Sequence, residues 1–258
     1  MRNDIYLKTG GIFFGIAILG IGIMQLVFHD FPAGLLPVIQ SLPGRNLWVD
    51  ISGITMAGAG LLILSQKYTG YGALLAGLIF LVFLLLLHIP KLIMHPEISS
   101  EWTFGFEVFM LFSGALTLAG LVSPLANYKN IPAKLIVSGK YIFAVSLMVF
   151  AVLHYLFVSE VLTFIPGWIP WPLFWAYFVT CAFFAASVSL FIQIQVRLSQ
   201  TLVGLMFFLW VCMLHLPVVI ANRHDEPNWT NLFVPLAMSG IGLLIAGSTT
   251  SGRSRHKL

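Results

Sequence analysis

The sequence predicts an all-α membrane protein of eight transmembrane helices, arranged as two repeated four-helix bundles. Three observations predict it. Of 258 residues, 59% are hydrophobic and 9% charged, where a soluble domain carries roughly a quarter charged residues, and the mean hydropathy is +0.97. A spanning helix takes about 20 residues, and eight long apolar runs fill the chain. The second half also repeats the first at a spacing of 127 residues. No stretch is left for a soluble domain of even modest size.

The apolar runs cover residues 10–28, 48–64, 71–87, 104–121, 135–157, 173–191, 202–220 and 232–246. Lipid cannot satisfy open backbone groups, so each run must close its hydrogen bonds as a helix. Pro32, Pro37, Pro43 and Gly44 punctuate the chain after the first run, Pro90 and Pro96 after the third, and Pro124 and Pro132 after the fourth. Pro166, Pro170 and Pro172 separate the fifth from the sixth. Arg2 and Lys8 precede the first run as they would in a signal peptide. That run is as long as a span, however, and no A-x-A site closes it, so it reads as an uncleaved first helix.

Assigning alternate loops to two sides places ten basic residues (Arg2, Lys8, Lys67, Lys129, Lys134, Lys140, Arg197, Arg253, Arg255 and Lys257) on one side and three (Arg45, Lys91 and Arg223) on the other. The positive-inside rule then makes both termini cytoplasmic, in a bacterial-type inner membrane. The acids sort the other way: Asp30, Asp50, Glu97, Glu101, Glu160, Asp225 and Glu226 fall at the outer face. The basic residues form no patch that could follow a phosphate backbone, which excludes nucleic acid as a partner. Cys181 and Cys212 stand apart in apolar runs, without a CxxC pair or zinc knuckle.

The repeat carries the functional reading. His88-Ile-Pro90 recurs as His215-Leu-Pro217, and Trp102-Thr103 as Trp229-Thr230, at the same shift of 127; Pro43, Trp48 and Ala119-Gly120 recur as Pro170, Trp175 and Ala246-Gly247. His29 finds His154 at 125. Four spans per copy is an even number, so residues 1–125 and 126–258 form two units of the same orientation, related by an axis along the membrane normal.

His29, His88, His154 and His215 are thereby expected at the outer ends of the first, third, fifth and seventh helices. Imidazole offers a lone pair and an N–H near neutral pH, so a histidine pair suits a transition metal, a haem iron, a proton relay or a quinone carbonyl. An interfacial anchor is the alternative role. Only the first copy adds acids, Asp50 and Glu107, which become Tyr177 and Val234 at the repeat shift. A single centre is therefore expected where His29, Asp50, His88 and Glu107 converge. Glu107 stands among Phe104, Phe106, Val108 and Phe109, where an ionised carboxylate needs a partner. Gly53, Gly58 and Gly60, with Gly114 and Gly120, are expected to permit close helix approach.

The run Trp48-Val-Asp50-Ile-Ser-Gly53, continuing through Gly58, Gly60 and Leu61 to Leu64, resembles the acidic residue and glycine- and leucine-rich second helix of DoxX-like membrane proteins. His88, residues Trp102 to Glu107 and the closing Gly114-Ala-Leu-Thr-Leu-Ala-Gly120 are similar as well. The resemblance covers residues of about 6–122, and the second half is similar to a diverged second unit. It implies a four-helix bundle and, for some members, thiosulfate-to-quinone oxidation or partnership with redox enzymes. This chain is longer than the usual single unit and lacks a cysteine placed for sulfur chemistry.

The first functional expectation is a redox-linked subunit whose outer-facing site binds a quinone, haem or metal and serves an extracytoplasmic or membrane redox partner. A small transporter or lipid-handling protein would use the interface between bundles, where the only midplane polar candidates are Ser113, Thr117, Thr180 and Ser187. A non-catalytic assembly factor is the third reading. Membrane lipids are partners in every case; neither an enzymatic activity nor an oligomeric state follows from the residues.

Overall fold

A computed structural model describes residues 4–32, 34–38, 40–122 and 131–251. Arg2, Pro124, Lys129, Arg253, Arg255, Lys257 and the expected boundary between residues 125 and 126 lie outside the described residues. Among the described residues all regular structure is helical. Eight helices are long and apolar enough to cross a membrane: α1 Ile5–Phe28, α2 Arg45–Leu64, α3 Thr69–Met94, α4 Ser99–Leu121, α5 Ile131–Leu156, α6 Pro172–Ile192, α7 Val196–Ala221 and α8 Glu226–Thr249. A short helical segment, Val158–Thr163, lies between α5 and α6.

The helices run longer than the apolar runs, at α3 because Pro90 does not stop it. Pro90 has no N–H to give to the turn before it, and its ring would press on the carbonyl four residues back. The helix widens instead into a π-helical turn, Leu84–His88, closed by the Ile89 N–H on the Leu84 carbonyl, and then continues to Met94. Pro217 follows the π-helical turn Val211–His215 in the same way. Pro235 lies within α8, whose regular helix extends to Ser251.

Local geometry recurs at the repeat shift of 127. Gln66 and Gln193 both adopt left-handed backbone, with φ of 59° and 56°. Trp102 Nε1 donates to the Pro96 carbonyl at 2.9 Å and Trp229 Nε1 to the Arg223 carbonyl at 2.9 Å. Each indole stacks on the phenyl ring four residues on, Phe106 or Phe233.

The spanning helices pack as neighbours in chain order, and α8 closes the ring against α1. Across the middle α4 packs on α8, and these two are the most enclosed of the eight. Gly114 of α4 marks that crossing: a Cβ there would fall 2.4 Å from Ile241 and 2.9 Å from Phe14. One core runs through both halves, with Phe14, Ile18, Met110, Leu111, Ile241 and Leu244 fully buried. Between α1 and α2 the approach is close enough that a Cβ on Gly22 or Gly60 would meet backbone nitrogen at 2.4 Å. Gly58, expected in the same seam, has nothing within 4 Å and plays no part in it.

Candidate functional site

The site lies at the end of α1–α4 where α1 gives way to α2. α1 stops at His29, whose backbone turns left-handed at φ 52°. Asp30 then accepts the Phe31 N–H at 2.6 Å and pairs with the Arg45 guanidinium, which lies 5.1 Å above the Phe31 ring. Held there, the chain folds inward, because Phe31, Leu35 and Leu36 are apolar and find Val49, Phe83 and Leu87 beneath them. A turn from the Leu36 N–H to the Pro32 carbonyl, at 2.7 Å, shapes this inward loop.

That loop delivers a backbone acceptor to His88. The imidazole is wholly buried, and its Nε2 donates to the Leu35 carbonyl at 3.0 Å. The donor role at Nε2 leaves Nδ1 as a bare acceptor, and Nδ1 is buried without a partner. His88 sits six residues before the end of α3, about 9 Å down the axis at 1.5 Å per residue. It is therefore deeper than the outer-end position expected for it.

Of the four residues expected to converge, the structure brings together His29 and Asp50. Their Nδ1 and Oδ1 atoms are 3.5 Å apart, and both side chains are about half exposed, at 54% and 46%. His88 is bound to the loop instead, and Glu107 makes no hydrogen bond or ion pair with the described residues. Glu107 precedes Gly114 by seven residues, two helical turns, so it shares the face that Gly114 turns toward Ile241 and Phe14. The other carboxylates beside the loop have bases: Lys91 reaches Glu101 at 3.2 Å and His95 lies 3.7 Å from Glu97.

The second half is arranged differently. His154 remains inside α5, donates from Nδ1 to the Phe150 carbonyl at 2.9 Å and meets Phe183 edge-on at 5.2 Å. It lies two residues before the end of its helix, whereas His29 follows the last residue of α1. His215 occupies the same π-helical position as His88 but has no hydrogen-bond partner among the described residues. In these residues no group of three or more His, Cys, Asp or Glu side chains is arranged to hold a metal ion. His88 Nε2 is taken by the Leu35 carbonyl, so metal or haem ligation through that atom would have to break this bond.

Two contributors went unread in the sequence. Leu35 acts through its carbonyl, which no side-chain pattern signals. Gln25 is fully buried, donates from Nε2 to the Val49 carbonyl at 3.0 Å and to the Ser52 hydroxyl, and leaves Oε1 without a partner. Its signal was present: an amide in an apolar run, one turn before His29 on the same face.

Comparison of the chain with protein-family models, with curated proteins and with solved structures found no match.

Proposed function

We propose that this chain is a redox-linked membrane subunit that takes a quinol headgroup at the loop end of α1–α4, with His88 as its hydrogen-bond acceptor. The observation that carries the reading is the orphaned Nδ1 of His88, fully enclosed within a spanning helix. A buried acceptor without a donor costs about 1–3 kcal/mol, and intramembrane titratable groups tend to mark function. A quinol hydroxyl would supply the missing donor, and Leu35, Leu92, Phe104 and Gly105, which surround this part of α3 and α4, would hold it. A bound quinol would supply two electrons and two protons. The chain's own part is to orient the headgroup through His88 and to exclude water with the Phe31–Leu36 loop.

The resemblance of Trp48–Leu64 and Trp102–Gly120 to DoxX-like proteins supports the same reading, and the recurrences at 127 residues support an origin by duplication of one four-helix unit. The split of basic residues supports an inner-membrane location with both termini cytoplasmic, which puts the site on the outer side, open to an extracytoplasmic redox partner.

The test is to incorporate the purified protein into quinol-loaded nanodiscs under anaerobic, reducing conditions, wash, and measure retained quinol by chromatography, with an absorption spectrum and metal analysis of the same sample. Quinol should stay with the wild type and with His215→Ala, and leave with a folded His88→Ala. Equal retention in all three, or none in the wild type, overturns the proposal.

A further inference from the structure

Between α5 and α6 the helices part into a groove of about 350 Å³, lined by Met148, Ala151, Val152 and Tyr155 on one side and Thr180, Cys181 and Phe184 on the other. Its origin lies in what the second half has in place of glycine. In the first half Gly53 of α2 lies so close to α1 that a Cβ would meet Leu26 at 2.9 Å. At the shift of 127 that position is Thr180. Further along, Ser187 donates to the Ala144 carbonyl at 2.7 Å and clamps the two helices together. The pair is therefore closed at Ser187 and open from Thr180 toward Leu156, and α5 packs on α6 less extensively than α1 on α2.

We infer that this groove seats one hydrocarbon chain of a zwitterionic phospholipid, drawn from the leaflet around the α5–α6 connection, with the headgroup against Tyr155 and Tyr177. The volume falls within the roughly 300–1,000 Å³ of ligand pockets. The groove offers an occupant no strong polar contact, because the Thr180 hydroxyl is already donated to the Ala176 carbonyl at 3.0 Å. At the mouth the rings of Tyr155 and Tyr177 stand 6.4 Å apart, both exposed, and phenols at that level suit ester and phosphate oxygens. Beyond them Trp168, Trp171 and Trp175 are exposed along the connection, where indoles sit among headgroups. No lysine or arginine occurs between Lys140 and Arg197, and Glu160 is the one charged residue there, so α5, α6 and their connection bring no cation to a net-negative headgroup at the mouth.

The experiment is native mass spectrometry of the detergent-purified chain with added phosphatidylethanolamine or phosphatidylglycerol. The wild type should retain one phosphatidylethanolamine in preference to phosphatidylglycerol. Val152→Phe and Cys181→Phe, which fill the groove, should lose it, whereas Leu78→Phe on the exposed face of α3 should keep it. In a Cys212→Ser background, phosphatidylethanolamine should also slow alkylation of the native Cys181, a measurement that needs no groove-filling variant to fold. Equal retention in every variant, equal preference for phosphatidylglycerol, or alkylation indifferent to lipid overturns the inference. So does a change of oligomeric mass in the filled variants with lipid retention unaltered, which would make the groove an interface between copies.

Discussion

His88 and His215 close two π-helical turns of nearly identical backbone, at φ and ψ of −84° and −45° for one and −85° and −42° for the other, yet among the described residues only His88 reaches an acceptor. The difference comes from the connections above them. In the first half Arg45 pairs with Asp30 and covers Phe31, and the loop is held inward over His88. At the repeat shift Arg45 becomes Pro172. The second connection has no such latch, and Phe164, Trp168 and Trp171 stay exposed.

Replacing the two histidines should therefore have unequal effects on stability. His88→Ala strands the Leu35 carbonyl and should cost about 1–3 kcal/mol. His215→Ala removes no hydrogen bond to the described residues and should cost less than His88→Ala. Denaturation in a single mild detergent reads both. Equal losses would mean that the Leu35 bond contributes nothing to the fold.

The two ion pairs beside the loop should also separate. His29 and Asp50 are half exposed at 3.5 Å, and exposed pairs contribute about 0–1 kcal/mol, so Asp50→Asn should leave the loop undisturbed. Arg45 is only 14% exposed and joins Asp30 to the Phe31 ring, so Arg45→Ala should free the loop. Hydrogen exchange at the Leu36 amide should quicken in Arg45→Ala and stay unchanged in Asp50→Asn; faster exchange in both would put the latch at Asp50.

Hydropathy made the eight spans legible because a helix in lipid must be apolar along its length, and no other structure accounts for such runs. Their ends were less legible. Pro90 read as a stop, since a proline inside a helix removes a hydrogen bond and clashes; the π-helical turn before it relieves the clash without ending the helix. The site was legible in its residue types more than in its geometry. His29 and Asp50 meet, but His88 turns to a backbone carbonyl that side-chain patterns do not reveal. Phe31, Leu35 and Leu36 gave the only hint that a connection punctuated by Pro32 and Pro37 would fold inward. Matching His29 to His154 by residue type missed that one ends a helix and the other stays within it.

The glycines of α2 give a test of packing within one helix. A Cβ on Gly60 would meet the Leu19 nitrogen at 2.4 Å, whereas at Gly58 nothing lies within 4 Å. Gly60→Ala must push α1 from α2 and should lower stability by about 1–3 kcal/mol, the cost of overpacking. Gly58→Ala should be neutral or stabilise slightly, since alanine is favoured over glycine in a helix by roughly 0.5–1 kcal/mol. Melting of the two single variants decides it. Similar losses in both would contradict the close approach at Gly60.

The split of basic residues predicts an orientation in the membrane that labelling tests. At the loop end of the site Arg45 is paired with Asp30 and Lys91 with Glu101. At the opposite end Lys67 and Arg197 lie over the rings of Tyr68 and Tyr6, at 4.9 Å and 4.7 Å, and make no ion pair among the described residues. The excess of lysine and arginine in the connections at this end makes it the expected cytoplasmic side. With Cys181 and Cys212 replaced by alanine, Glu97→Cys and Gly167→Cys should react with an impermeant thiol reagent in intact cells. Ser65→Cys and Ile194→Cys, in the connections at the other end, should react only after permeabilisation. The reverse pattern would turn the molecule over and move the His88 site to the cytoplasmic face. Reaction of Gly167→Cys and Ile194→Cys from the same side would be incompatible with α6 crossing the membrane at all.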